Sequence, residues 1–528
     1  MTSGHLLPAS RFDAARRLFQ KARLPLLWIG LSLLSLAAAA LFLWATSPHG
    51  IGMTTDSVDY VWTARSLASG LGLGTLDGLG RFKPATVEPP LYPLMLSLFQ
   101  RAGVDALQGA RWLGAVSIAL VFLLYGLLIH RLTRRSFWFP LLGTLALFFL
   151  ADSWTTSLYA MTEPTYLIFT LTGLLCLDDY DRQGRKRNLV GAALLFALAS
   201  LDRYVGLAVI AAALAFLLVR RGPTARRRLQ DLLWMGALSL LPMLAWLARN
   251  LLLARTATSY VARFVPITAA EWNEFFQTLA GWVRPIYAFR FTPLALGLGL
   301  VTCGTAYLLL RQDRAADPAA PAPTRLPLLL GIYAVCYLAF IIASRWIAVP
   351  LVTFYQVRLV YPMASVLFCL ALGGLALLRQ KVAVRFGALG AALLAAVLVL
   401  LTWSYVVTDR VATRPYIQPI LVSRYNGLGL QNTAFPSWDF LAELRQLPKD
   451  AVLFTDDTQR MYFFTGRPAF FVGADDPGSL ALLRETLASR QVAVGLFSSA
   501  DTQALLSAQF PGLTPAYASG SSSVFLEK

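Results

Sequence analysis

The chain is poor in charge. Of its 528 residues, 14% are Asp, Glu, Lys or Arg, against about 25% in an ordinary soluble protein. That deficit argues against a string of soluble domains, although the length alone would allow several. Histidine is scarce as well, at 3 scattered residues, which speaks against a zinc centre or a histidine base. The 4 cysteines are Cys176, Cys303, Cys336 and Cys369, all in apolar stretches. They offer no disulfide framework and suit packing as small apolar groups. The C-terminal region holds no glycine-rich phosphate loop and no metal-ligand spacing. Internal repeats, common in transporters, are not visible.

What the chain does have is apolar blocks, recurring from Pro25 to about Thr408. Candidate spans are 25–45, 109–130, 137–151, 163–178, 189–201, 204–219, 231–253, 291–311, 326–344, 358–378 and 386–408. Together they predict an all-α polytopic membrane domain of about eleven helices, several shorter than the roughly 20 residues of a perpendicular span. The first block follows a basic leader with Arg16, Arg17, Lys21 and Arg23, and its length suits an uncleaved first helix rather than a signal segment. The formal net charge is +18. Its placement in short clusters between blocks, such as Arg185, Lys186 and Arg187, follows the positive-inside pattern rather than a nucleic-acid surface. For every cluster to share one side, the pair 189–201 and 204–219 must enter and return, with Asp202-Arg203 at the turn. The N-terminus then lies inside and the C-terminus outside.

Three long segments fall on the outer side: Thr46 to about Gln108, Ala254 to Arg290, and Asp409 onward. Ser57 to Ser69 has helical spacing, with Thr55 or Ser57 as cap and Gly70, Gly72 and Gly74 to end it. It suits an amphipathic helix in the membrane interface, and a second is expected from Ala269 to Trp282. Ala315 to Pro323 reads as a flexible linker. The C-terminal region alternates strand and helix patterns: strands at 451–455, 469–472, 492–497 and 523–526, helices at 459–465, 479–489 and 501–509. That is a small α/β domain. The division is a membrane domain over 1–408 and an extracytoplasmic domain over 409–528.

Ionisable residues gather at the outer mouth of the bundle. Asp56, Asp59 and Tyr60 open the first loop helix, and Arg81, Lys83 and Glu88 precede Pro89-Pro90-Leu91-Tyr92-Pro93. Glu163 with Pro164 opens the fourth span, Arg203 stands at a turn, and Arg345 and Arg358 flank a short loop. Each ionisable group at a helix centre costs roughly 2.5–3.5 kcal/mol on insertion scales, so several at one face imply a polar cavity. Carboxylates there can take a proton from an acceptor. Arginine forks can hold a phosphate leaving group. Asp59 reads as a solvated helix residue, and capping is the plain alternative for Asp56.

Asp56 with Tyr60, Ala64-Arg65, a glycine-rich turn and Pro-Pro-Leu-Tyr-Pro resembles the first external loop of the GT-C glycosyltransferases. The closest branch is that of bacterial lipid A sugar transferases and protein O-mannosyltransferase-like enzymes. Thr162-Glu163-Pro164, the Leu201-Asp202-Arg203 turn and a final α/β domain fit that branch too. The resemblance implies inverting transfer from a polyprenyl-phosphate sugar to a lipid, glycan or protein acceptor on the outer face of the cytoplasmic membrane. It implies Asp56 as base, Glu163 as a second catalytic group, and a donor phosphate among Lys83, Arg203 and Arg358. Tyr60, Arg81, Tyr92 and Arg345 complete the expected substrate contacts. No cofactor is expected and a divalent metal is not indicated. The chain departs from the branch at Glu88, where many members carry Lys, and at Ser57, where many carry an acid. Both leave the acceptor open. A transporter or flippase of lipid-linked sugars is the alternative function.

Overall fold

The computed structural model describes residues 11–133, 136–220, 223–281, 325–349, 353, 355–379, 381–382, 418–432 and 438–527. The expected spans 291–311 and 386–408, and the Ala315–Pro323 linker, lie outside them. The chain is mostly helical, with a small sheet near its C-terminal end. Among the described residues, five helices are long and apolar enough to cross a membrane, or six if one bent pair counts as a span. The molecule reads as a multi-pass membrane protein.

The first helix, α1 (Arg11–Ala45), packs on α4 (Ala106–Leu132). The expected span 137–151 is two helices instead, α5 (Trp138–Phe148) and α6 (Ala151–Ser157), bent by 62°. The apolar run ends at Leu150, and the polar residues after it start a new helix rather than a loop. Next come α7 (Glu163–Gln183), α8 (Lys186–Asp202), α9 (Gly206–Val219) and α10 (Ala225–Ala254), packed on one another. The α8–α9 hairpin forms as the charge pattern requires. Its turn is tight because Gly206 donates its N–H to the Arg203 carbonyl at 2.8 Å. A Cβ on Gly206 would collide with the Ala199 carbonyl and the Ser200 amide. At Gly191 there is open space for one. Gly206→Ala is therefore expected to lower thermal stability, while Gly191→Ala leaves it equal or raised. Thermal unfolding of both variants in detergent checks this.

Helix α7 is 21 residues long, which spans about 30 Å at 1.5 Å per residue. Its two ends carry different chemistry. At the far end Arg131 meets Asp178 at 3.0 Å and Asp179 at 2.8 Å, and Arg220 meets Asp181 at 2.7 Å. The basic clusters at this end are thus partly neutralised by carboxylates on α7. The near end begins at Glu163.

Before these helices, the loop helix α2 (Thr55–Ala68), the hairpin β1 (Gly74–Leu76) and β2 (Phe82–Pro84), and α3 (Leu91–Arg101) cover the bundle's near end. The cap of α2 is neither Thr55 nor Ser57. Thr54 accepts from the Ser57 N–H at 3.2 Å, and Ser57 Oγ accepts from the Thr54 N–H at 3.0 Å. The helix does not lie as an open amphipathic strip. Val58, Tyr60, Val61, Trp62 and Ala64 are all buried, because α3 and α4 cover one side and the C-terminal domain the other. The second loop forms β3 (Val261–Ala262) and α11 (Ala269–Gly281). It is held by pairing with β4 (Ala348–Val349) after α12 (Leu326–Ile347). Helix α13 (Val357–Arg379) is tied to α4 by Tyr125 and Ser365.

Helix α14 (Gln418–Tyr425) rests on α1 and α6, and Gly429 bridges to Met53. A Cβ on Gly429, whose φ is +60°, would strike the Met53 carbonyl. The C-terminal fold proper starts at α15 (Trp438–Arg445). Its sheet runs β6 (Phe470–Phe471), β5 (Val452–Thr455), β7 (Val492–Leu496), β9 (Ser522–Glu527), β8 (Leu513–Ser519). The first three strands are parallel and the last two antiparallel. Strands β5 and β7 are buried throughout, as apolar runs covered on both faces are. Side chains alternate across them: Leu453 and Ala493 join one core with Phe440 and Met461, while Phe454 and Val494 join the other with Leu483 and Leu506. The remaining helices are α16 (Thr458–Thr465), α17 (Pro477–Leu487) and α18 (Ala500–Gln509), each with a side-chain N-cap.

Helix α16 docks on α2. Trp62 stacks on Tyr462 with centroids 3.8 Å apart, and Gln459 Nε2 donates to Asp59 Oδ2 at 3.1 Å.

Candidate active site

Because Thr54 and Ser57 satisfy the start of α2, the Asp56 carboxylate is not used as a cap. It points to Arg358, whose Nη1 lies 3.0 Å from Asp56 Oδ2. Gln356 orients the guanidinium by accepting from Arg358 Nε at 3.0 Å. Both partners are more than a third exposed on their side chains. The pair therefore contributes little to stability and can exchange with a ligand.

Glu163 is different. It sits in the first turn of α7, where a carboxylate meets the positive end of the helix dipole. It is 1% exposed, and Arg203 Nη1 reaches Glu163 Oε1 at 2.8 Å. Arg203 also donates to Thr162 Oγ1 at 2.7 Å. Asp202, next to Arg203, pairs with neither arginine but accepts from Thr165 Oγ1 at 2.6 Å. The α8–α9 turn thus places a carboxyl and a guanidinium against the start of α7.

Asp56, Glu163, Gln356 and Arg358 line one cavity of about 370 Å³, walled by Thr155 and Tyr159 near α6. Residues from three distant stretches of the chain, 54–56, 155–163 and 356–358, meet there. An acceptor hydroxyl or amine placed in this cavity would find a carboxylate for its proton, and a phosphate would find a guanidinium.

The other expected site residues spread around this centre. Tyr60 is buried, donates to Glu88 Oε2 at 3.2 Å and meets Tyr92 edge-on at 5.2 Å. Tyr92 is buried beside it. Lys83 stands on β2 and lines a second cleft with Asp59 and Glu88. Arg81 pairs with Asp77 in the hairpin turn at 2.9 Å and is largely exposed. Arg345 is buried and bound to Glu271 at 2.7 Å and to the Val265 carbonyl at 3.2 Å. It anchors α11 to α12, and its hydrogen bond holds the Glu271 carboxyl down at about 2.

Two residues gain importance that the sequence did not give them. Asp59 is not a freely solvated helix residue: it is half-buried and accepts a hydrogen bond from Gln459 of α16. Burial pushes its carboxyl up to about 6, with the neighbouring Asp56 adding to the rise. Burial and the Asp56 charge push Glu88 up to about 7. Both folded-state values lie above the ordinary ones of 3.8 and 4.5. The folded state therefore binds more protons than the unfolded one in that window. The stability these groups allow is fullest below about pH 4 and declines as pH rises to about 7. Thermal unfolding between pH 4.5 and 7.5 is expected to show a falling midpoint, with a shallower fall in Glu88→Gln. In the sequence Glu88 stood out only as a departure from the resembled branch and Asp59 only as a solvated residue; the contact of Asp59 with Gln459 of α16 and that of Glu88 with Tyr60 come from tertiary structure. Gln356 likewise gave no signal beyond lying two residues before Arg358. Among the described residues no group of three or more His, Cys, Asp or Glu could hold a metal ion.

No protein-family profile matches the chain, and no curated protein does. Among solved structures it is similar to the archaeal oligosaccharyltransferase AglB from Archaeoglobus fulgidus, determined in complex with an inhibitory peptide and a dolichol-phosphate. The match covers 88% of this chain and 69% of that one, at 12% identity and a TM-score of 0.46. At that level no residue role passes from AglB to this chain.

Proposed function

We propose that the chain is a GT-C type glycosyltransferase that moves a sugar from a polyprenyl-phosphate carrier to an acceptor nucleophile. The observation that carries this reading is the meeting of Asp56, Glu163 and Arg358 around one cavity at the end of the bundle that bears the C-terminal domain. A membrane enzyme takes such a donor from the bilayer. Asp56 receives the acceptor's proton as the acceptor oxygen or nitrogen attacks the anomeric carbon. The bond from that carbon to the phosphate oxygen breaks, and the phosphate leaves with the electron pair. A single displacement of this kind inverts the anomeric centre.

The resting ion pair has a use in this scheme. An arriving phosphate competes with Asp56 for Arg358, and its success frees the carboxylate for the acceptor. Arg203 supplies the second positive charge, while Glu163 holds it in place. The basic clusters at the opposite end favour a cytoplasmic position for that end by the positive-inside rule, which supports transfer on the outer face of the cytoplasmic membrane.

The test is release of free polyprenyl phosphate from a panel of polyprenyl-phosphate hexoses and pentoses. Purified full-length protein is incubated with envelope lipid extract as acceptor. Wild type is expected to release the carrier from at least one donor. Arg358→Gln is expected to raise the donor KM by about tenfold, the loss of one charge-assisted contact. No release from any donor would sink the proposal.

A further inference from the structure

The cavity with Asp56 is not the whole of this end. On another side of α2 lies a cleft of about 390 Å³ between the first loop and the C-terminal domain, within the roughly 300–1,000 Å³ usual for ligand pockets. One wall is Asp59, Lys83 and Glu88; the other is Gln459 and Phe471 of the C-terminal domain; Trp246 of α10 lies at its membrane side.

The polar groups of this cleft are short of partners. Among the described residues Asp59 receives one side-chain hydrogen bond, from Gln459, and Glu88 receives one, from Tyr60. A carboxylate has about four acceptor sites, so most of each remains open. No hydrogen bond or ion pair to the Lys83 ammonium occurs among the described residues, although its charge acts on Asp59. Phe471 is 48% exposed despite its size. An exposed ring beside acceptor-rich carboxylates and a free ammonium fits a polyhydroxylated ring, whose C–H face lies on the aromatic and whose hydroxyls donate in pairs. A lipid tail would leave the carboxylates unsatisfied, which is costly when they are enclosed.

We infer that this cleft binds a saccharide, and that it is the glycan part of the acceptor, seated between the loop and the C-terminal domain. This rests on the transfer reading above. The donor's phosphate finds its arginines at the other cavity, Arg358 in its wall and Arg203 behind Glu163, which leaves this cleft to the other substrate. Helix α2 then carries the base, Asp56, and an acceptor-holding residue, Asp59, three positions apart. The C-terminal domain becomes a determinant of acceptor choice through Gln459 and Phe471.

The experiment is saturation-transfer NMR on the full-length protein in nanodiscs, with soluble oligosaccharides of hexose, hexosamine and heptose as probes. At least one is expected to bind the wild-type protein. Phe471→Ala and Glu88→Gln are each expected to weaken that binding by about tenfold, while Phe264→Ala, an exposed residue elsewhere, leaves it unchanged. Glu88→Gln keeps the Tyr60 contact and Phe471 is largely outside the core, so both variants retain the fold. Absence of binding by every probe, or binding that neither variant alters, overturns the inference. The transfer reading fails separately, when the panel of donors yields no product although a glycan still binds.

Discussion

Asp56→Asn is expected to reduce sugar transfer by roughly 10²–10⁴-fold, the usual contribution of a positioned general base. The change is nearly isosteric. It leaves the Thr54–Ser57 capping box of α2 intact. It removes a half-exposed ion pair with Arg358, and such pairs are worth about 0–1 kcal/mol. The fold should therefore survive. The loss should fall on kcat, because the proposed role of Asp56 is to take the acceptor's proton in the transfer step. Donor KM should hold or drop, since Arg358 is then free of its competitor. Steady-state kinetics with varied donor and acceptor separate these terms. A variant that loses donor affinity with kcat unchanged would move Asp56 out of the role of base.

Glu163→Gln should have the largest effect on stability. The carboxylate is buried, and Arg203 opposite it is mostly buried as well. Taking one partner away leaves a charge enclosed without its counter-ion, at a cost of about 3–5 kcal/mol. Thermal unfolding should show a marked fall in midpoint. The double variant Glu163→Gln with Arg203→Met should recover much of it, because the stranded charge is gone. Transfer should stay absent in the double variant, since the cation beside the cavity is lost. A double variant as unstable as the single would mean that packing, rather than charge pairing, fixes the start of α7.

Much of this end was legible in the sequence. Helix α2, the α8–α9 hairpin and the strands of the C-terminal domain follow from periodicity and turn residues within a few positions of one another. The bend between α5 and α6 was hidden because Phe148 to Ala151 continues the apolar run to its end. The α2 cap was misplaced, by one residue for Thr55 and three for Ser57, since Thr54, Thr55 and Ser57 are all competent caps; the tertiary contacts with Met161 are made by Thr54 and Ser57. Strand β8 went unpredicted; Pro515 within it and mostly exposed side chains conceal its pairing with β9. Within the site, Asp56, Glu163 and Arg358 were visible as costly charges near a membrane. Their gathering at one face was expected from the charge pattern, but the pairing of Asp56 with Arg358 was not, because it joins residues 302 positions apart. The role of Arg345 as an anchor for α11 needed Glu271 in view.

The most direct measurement follows a labelled sugar. Purified full-length protein in proteoliposomes is given a polyprenyl-phosphate donor labelled at the anomeric carbon, with acceptor on the side bearing the C-terminal domain. The account predicts that label appears covalently on the acceptor with inverted anomeric configuration, in step with released polyprenyl phosphate, and that Asp56→Asn abolishes it. Label that stays on its carrier and merely changes leaflet, equally in both proteins, would contradict it.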